Sequence, residues 1–101
     1  MLRITVFEMP PERRFVLEGK ITEPWIGELE SAWEKAKNPQ RSLKCVVDLS
    51  GTTAIDESGK RILTRMCGEG ARFIANGVAT IQLIKDIKRK CAQQAQDRMP
   101  R

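Results

Sequence analysis

The sequence predicts an α/β fold: a mixed β-sheet of about four strands with helices packed mainly on one face, in the order ββαβαβα. Three observations predict it. Residues 2–9 and 13–21 alternate apolar and polar side chains, the period of half-buried strands. Residues 43–49, Leu-Lys-Cys-Val-Val-Asp-Leu, form a near-continuous apolar run, which marks a strand covered on both faces and hence parallel pairing through helical crossovers. Between and after these strands, three segments space their apolar residues as helices do.

In chain order, Leu2, Ile4 and Val6 share one face of the first strand, with Arg3, Thr5 and Phe7 on the other. Met9-Pro10-Pro11-Glu12 breaks it, and Phe15, Leu17 and Ile21 continue an alternation opposite Arg14, Glu18 and Lys20, so the two strands read as an antiparallel hairpin. Thr22-Glu23-Pro24 marks a helix start, because Thr caps free N–H groups and Pro is tolerated in a first turn. Ile26, Leu29, Trp33 and Ala36 then form an apolar stripe, and Asn38-Pro39 ends the helix. Trp25 and Trp33 read as core or core-rim packing. After the strand at 43–49, residues 50–55 read as a loop. A second helix follows Asp56, with Ile62, Leu63, Met66 and Cys67 inward and Gly70 just past its end. Residues 71–75 read as a short strand, and Ile81, Ile84, Lys88 and Cys91 as one face of a third helix from Val78. Residues 1–92 make one domain, with 93–101 a frayed basic tail.

Composition narrows the function classes. Leu, Ile, Val and Phe supply 24 of 101 residues, enough for a core without a metal or disulfide staple. There is no His, which removes Ser-His-Asp and Cys-His catalysis and the usual zinc sites. The three Cys are 22 and 24 residues apart, so there is no C-x-x-C pair, and each reads as a small apolar side chain in a reducing cytosol. No apolar run is long enough for a membrane span, and residues 1–20 carry three Glu where a signal peptide would be apolar. The expectation is a cytoplasmic protein with no catalytic residues, no metal and no cofactor. The net charge of +5 raises nucleic-acid binding, yet residues 85–101 alone carry +4 of it, and there are only 5% aromatics. Nucleic acid is therefore a weak candidate partner.

Polar residues crowd the connection between the apolar strand and the second helix: Asp48, Ser50, Thr52, Thr53, Asp56, Glu57, Ser58 and Gly59. One reading is structural, with Asp48 and Ser50 satisfying loop amides while Asp56 or Ser58 caps the helix. The other is regulatory. Ser58 falls in a first helical turn, where free N–H groups and the positive dipole end tolerate a phosphate, which would set about 1.5–2 negative charges beside Asp56 and Glu57. The two readings are compatible.

Residues 46–59, Val-Val-Asp-Leu-Ser-Gly-Thr-Thr-Ala-Ile-Asp-Glu-Ser-Gly, followed by a helix and Gly68-Glu69-Gly70-Ala71, resemble the STAS domain, named for sulfate transporters and anti-sigma factor antagonists. Leu17 to Ile21 and the helix from Trp25 to Ala36 fall where that family has its second strand and first helix, so the resemblance spans about residues 3–92. It implies a protein-interaction module. In bacterial anti-sigma antagonists a Ser or Thr between the Asp and Gly of a D-x-x-G loop is phosphorylated by a partner kinase of GHKL type that is itself the anti-sigma factor, and the unphosphorylated form captures that partner. By position, Asp56 and Gly59 match the loop ends, Ser58 is the hydroxyl between them, and Asp48 and Ser50 match strand-end polar residues. Two departures stand out: Glu57 occupies a site that often holds a second hydroxyl, and fuller members add a strand and a helix after the third helix. The resemblance therefore leaves two expectations, a Ser58-switched binder of an anti-sigma kinase and a non-switching adaptor subunit of a transport or signalling complex. The sequence sets no oligomeric state.

Overall fold

The computed structural model describes residues 1–36 and 43–97. Their order is β1 (Leu2–Met9), β2 (Glu12–Ile21), α1 (Ile26–Ala36), β3 (Lys44–Ile55), α2 (Glu57–Gly68), β4 (Arg72–Ile74) and α3 (Val78–Asp97). The sheet runs β1-β2-β3-β4, with β1 antiparallel to β2 and the other two pairings parallel. The expected α/β class and order ββαβαβα are those of the structure. The proposed helix stop at Asn38-Pro39 lies outside the described residues.

The hairpin turns tightly, pairing Met9 with Glu12 across Pro10-Pro11. Alternation along β2 then sends Arg13, Phe15, Leu17 and Ile21 inward. They meet Val47 and Leu49 of β3 and the buried stripes Ile26, Leu29 and Trp33 of α1, Ile62, Leu63 and Met66 of α2, and Ile84 and Ile87 of α3, in one core. Phe15 and Trp33 pack with ring centroids 5.5 Å apart, tilted by 53°. Arg13 is the polar member of this face: it donates to the Ala36 carbonyl at the end of α1 and, at 2.5 Å, to Glu8. The buried guanidinium thus joins β2 to α1 and has a carboxylate partner for its charge.

Three expectations change and one is met in a particular way. First, residues 50–55 are strand rather than loop. They lack alternation because β3 follows β2 through two register shifts, and Thr52 and Thr53 donate their hydroxyls to the Leu17 and Gly19 carbonyls at 3.2 and 3.1 Å. Gly19 adopts φ +98, and a Cβ there would lie 2.3 Å from the Met1 carbonyl oxygen. Second, β3 is covered on both faces, as expected at Val46 and Val47, but by helices on one face only. The stripes of all three helices join the core on one face; on the other, Val46 is buried outside that core, in register between Arg14 of β2 and Arg72 of β4. Long cationic side chains flank the valine there.

Third, α1 starts at Ile26. A turn closed by Trp25 N–H donating to the Thr22 carbonyl at 2.8 Å occupies the residues expected to begin it. Fourth, α3 buries Ile84 and Ile87 and leaves Ile81 exposed, and it continues to Asp97 through residues expected to be frayed. Among the described residues no helix is long and apolar enough to cross a membrane.

Candidate functional site

The core strand β3 ends at Ile55, and Asp56 turns the chain into α2 with extended backbone angles of φ −92 and ψ −174. Its carboxylate is the N-cap. One oxygen accepts from Gly59 N–H at 2.8 Å and the other from Glu23 N–H at 3.0 Å, so a single side chain ties the start of α2 to the β2–α1 connection. The Asp56 amide in turn donates to the Ile21 carbonyl at 3.3 Å. The two accepted N–H bonds hold the Asp56 carboxyl below its ordinary value, with the Gly59 bond the larger cause.

Gly59 makes this approach possible. It is buried, and a Cβ there would fall 2.2 Å from the Ile21 carbonyl oxygen and 2.9 Å from Ile55 Cγ2. The sequence Asp-x-x-Gly at residues 56–59 is therefore a structural device: a cap, then a helix turn pressed against β2.

Ser58 is relieved of the capping role. Its Oγ accepts from Arg61 Nη2 at 3.0 Å, one turn further along α2, and the residue is half-buried. A hydroxyl that accepts from a cation is not activated as a nucleophile, since activation needs a base that takes its proton. The same geometry favours a phosphate once it is in place, because Arg61 is in reach of its oxygens and the helix N-terminus favours negative charge, while the base for the transfer has to come from the kinase. Glu57 is highly exposed and pairs with Lys60 at 3.2 Å.

Ser58 opens on a groove of about 250 Å³ between α1 and α2, lined by Glu23, Ile26, Glu30, Arg61, Ile62 and Arg65. Arg65 fastens its far side. It pairs with Glu34, with Glu30 at 3.7 Å and with Glu69 at 3.5 Å, and Glu69 also accepts from the Trp33 indole N–H at 2.6 Å.

The polar residues singled out in the sequence are thus split three ways. Asp56, Glu57, Ser58 and Gly59 stand together at the start of α2. Thr52 and Thr53 belong to the β2–β3 pairing. Asp48 lies on the sheet face away from the helices, opposite Val16 and Ile74 in register, and accepts from Ser50 N–H at 2.9 Å. That bond and the Ser50 hydroxyl lower its carboxyl, the hydroxyl being the larger cause. Asp48 and Ser50 therefore do not join the Ser58 site. Arg61 was missed, although its spacing of three residues from Ser58 on one helix signals the contact. Glu23 was missed too, and its amide reaches Asp56 across 33 residues with no local sign.

No protein-family model matches this chain, and no curated protein matches it.

Asp56 has a measurable pH signature. Its carboxyl is lower in the folded chain than in the unfolded one, so its contribution is fully present above the unfolded value of about 3.9 and fades as pH falls through the folded value. The Tm gap between the parent chain and Asp56→Ala is expected to be constant from pH 7 to about 5 and to shrink below about 4. A gap that widens in acid would contradict the cap.

Proposed function

We propose that this chain is a STAS-like protein-interaction module of the anti-sigma factor antagonist type, acting in the cytoplasm. In this reading the unphosphorylated start of α2 and the α1–α2 groove bind a GHKL-type anti-sigma kinase, and phosphorylation of Ser58 releases it. The observation that carries the reading is the division of labour at the helix start: Asp56 caps α2, which leaves the Ser58 hydroxyl at the mouth of a groove with Arg61 beside it. The resemblance of residues 46–59 to the D-L-S-G and D-x-S-G pattern of that family supports the same assignment.

A phosphate on Ser58 is compatible with the folded chain. It would gain Arg61 and the dipole of α2 while adding charge beside Asp56, Glu57 and Glu23, so the change falls on the partner rather than on the fold. The test is to incubate the chain with ATP and the GHKL-type kinase encoded in the same genome, then locate phosphate by mass spectrometry. One phosphate on Ser58, absent in Ser58→Ala, is expected. Binding and label both absent would remove the proposal.

A further inference from the structure

Cys67 at the end of α2 and Cys91 on α3 were each expected to be isolated apolar side chains, yet the fold brings them together. Cys91 Sγ lies against the last turn of α2, the turn that carries Cys67: a Cβ on Gly68 would sit 3.9 Å from it, and the glycine leaves that space open. The nearby Cys91 thiol is also one cause, after burial, of the raised pKa of the Cys67 thiol. Both thiols are free and half-buried, so small reagents reach them, whereas Ile84, Ile87 and Met66 of the same helices are fully packed. Cys45, on β3, packs at the edge of the core as a third thiol.

We propose that Cys67 and Cys91 form a reversible disulfide that clamps α3 onto the C-terminal turn of α2. The oxidant is a low-molecular-weight disulfide such as oxidised glutathione. The Cys91 thiolate attacks one of its sulfurs, breaking that S–S bond, forming a mixed disulfide and releasing one glutathione thiolate. Cys67, giving up its proton to that thiolate, then attacks Cys91 Sγ and displaces the second glutathione, which takes the proton lost from Cys91. Two protein thiols are oxidised by two electrons and one glutathione disulfide is reduced to two thiols. Burial, and then the neighbouring Cys91 thiol, push the Cys67 thiol up to about 11. The same balance holds with the two cysteines exchanged, since either order forms the same bond.

The bond would close one end of the α2–α3 groove lined by Lys60, Thr64, Gly68 and Lys90, leaving Ser58 untouched at the other end of α2. It is independent of the proposed partner. The reduced 101-residue chain is equilibrated with oxidised glutathione and mapped by mass spectrometry without reduction. The expected result is loss of two of the three thiols, a mass about 2 Da lower, a peptide joining residues 67 and 91, and alkylatable Cys45. Oxidation is expected to raise Tm by about 10 °C through loop closure in the unfolded chain, and dithiothreitol to reverse it. Cys67→Ser and Cys91→Ser are each expected to lose both the crosslink and the shift. Separate glutathione adducts on the two residues, a crosslink through Cys45, or a crosslink that lowers Tm would overturn the proposal.

Discussion

Gly59→Ala is expected to cost about 2–3 kcal/mol of stability, a fall in Tm of roughly 10–20 °C. Helix propensity alone gives the opposite sign, since Ala is favoured over Gly in a helix by about 1 kcal/mol. The structure decides the sign through contact. The added methyl would meet a backbone oxygen, Ile21 O, at 2.2 Å, and Asp56 pins the same turn to β2 and to Glu23. Neither side can yield without breaking the cap or the β2–β3 pairing. Gly27 on α1 is the control: nothing lies within 4 Å of a Cβ there, so Gly27→Ala is expected to stabilise by about 0.5–1 kcal/mol. Equal Tm changes in the two variants, read by calorimetry, would contradict the close packing of α2 on β2.

Ser58→Asp is expected to weaken binding of the proposed partner, an anti-sigma kinase, at least about tenfold, about 1.4 kcal/mol, while Ser58→Ala stays within about threefold of the parent chain. The first turn of α2 already carries Asp56 and Glu57, and Glu23 and Glu30 face the same groove. A further carboxylate makes this rim more negative and adds charge that binding must desolvate. The fold itself tolerates it, because a negative group at N2 of a helix interacts favourably with the dipole and Arg61 stands one turn away. Lost affinity with an unchanged Tm is therefore the signature of a switch. Equal affinities for Ser58→Ala and Ser58→Asp would instead favour the adaptor reading, in which Glu57 is simply a fixed surface charge paired with Lys60.

Local periodicity made most of the fold legible. The alternation in β1 and β2, the apolar run in β3 and the stripes of α1 and α2 are local patterns, and they correspond to the observed elements. What failed was long-range. Residues 50–55 look like a loop because hydroxyls replace apolar side chains, and only the neighbouring strand, with its bulges and free carbonyls, makes them strand. The apolar run at 43–49 signalled cover on both faces but not its kind, because a sequence cannot tell Val46 flanked by Arg14 and Arg72 from Val46 beneath a helix.

The site divides the same way. Asp56 as a cap and Ser58 in the first turn were readable from residue type and spacing. The removal of Asp48 and Ser50 to the far sheet face depended on the register of β3, which one residue of slip would reverse. The approach of Cys91 to the last turn of α2 depended on how α3 packs on α2, for which spacings of 22 and 24 residues carry no signal.

The central claim is that the start of α2 and the adjoining α1–α2 groove form the partner-binding surface. Hydrogen-exchange mass spectrometry on the chain with and without the proposed anti-sigma kinase tests it most directly. Added protection over residues 23–30 and 56–65, lost once Ser58 is phosphorylated, is the predicted result. Protection confined to β1 and the open sheet face around Asp48, or a footprint indifferent to phosphate on Ser58, would contradict it.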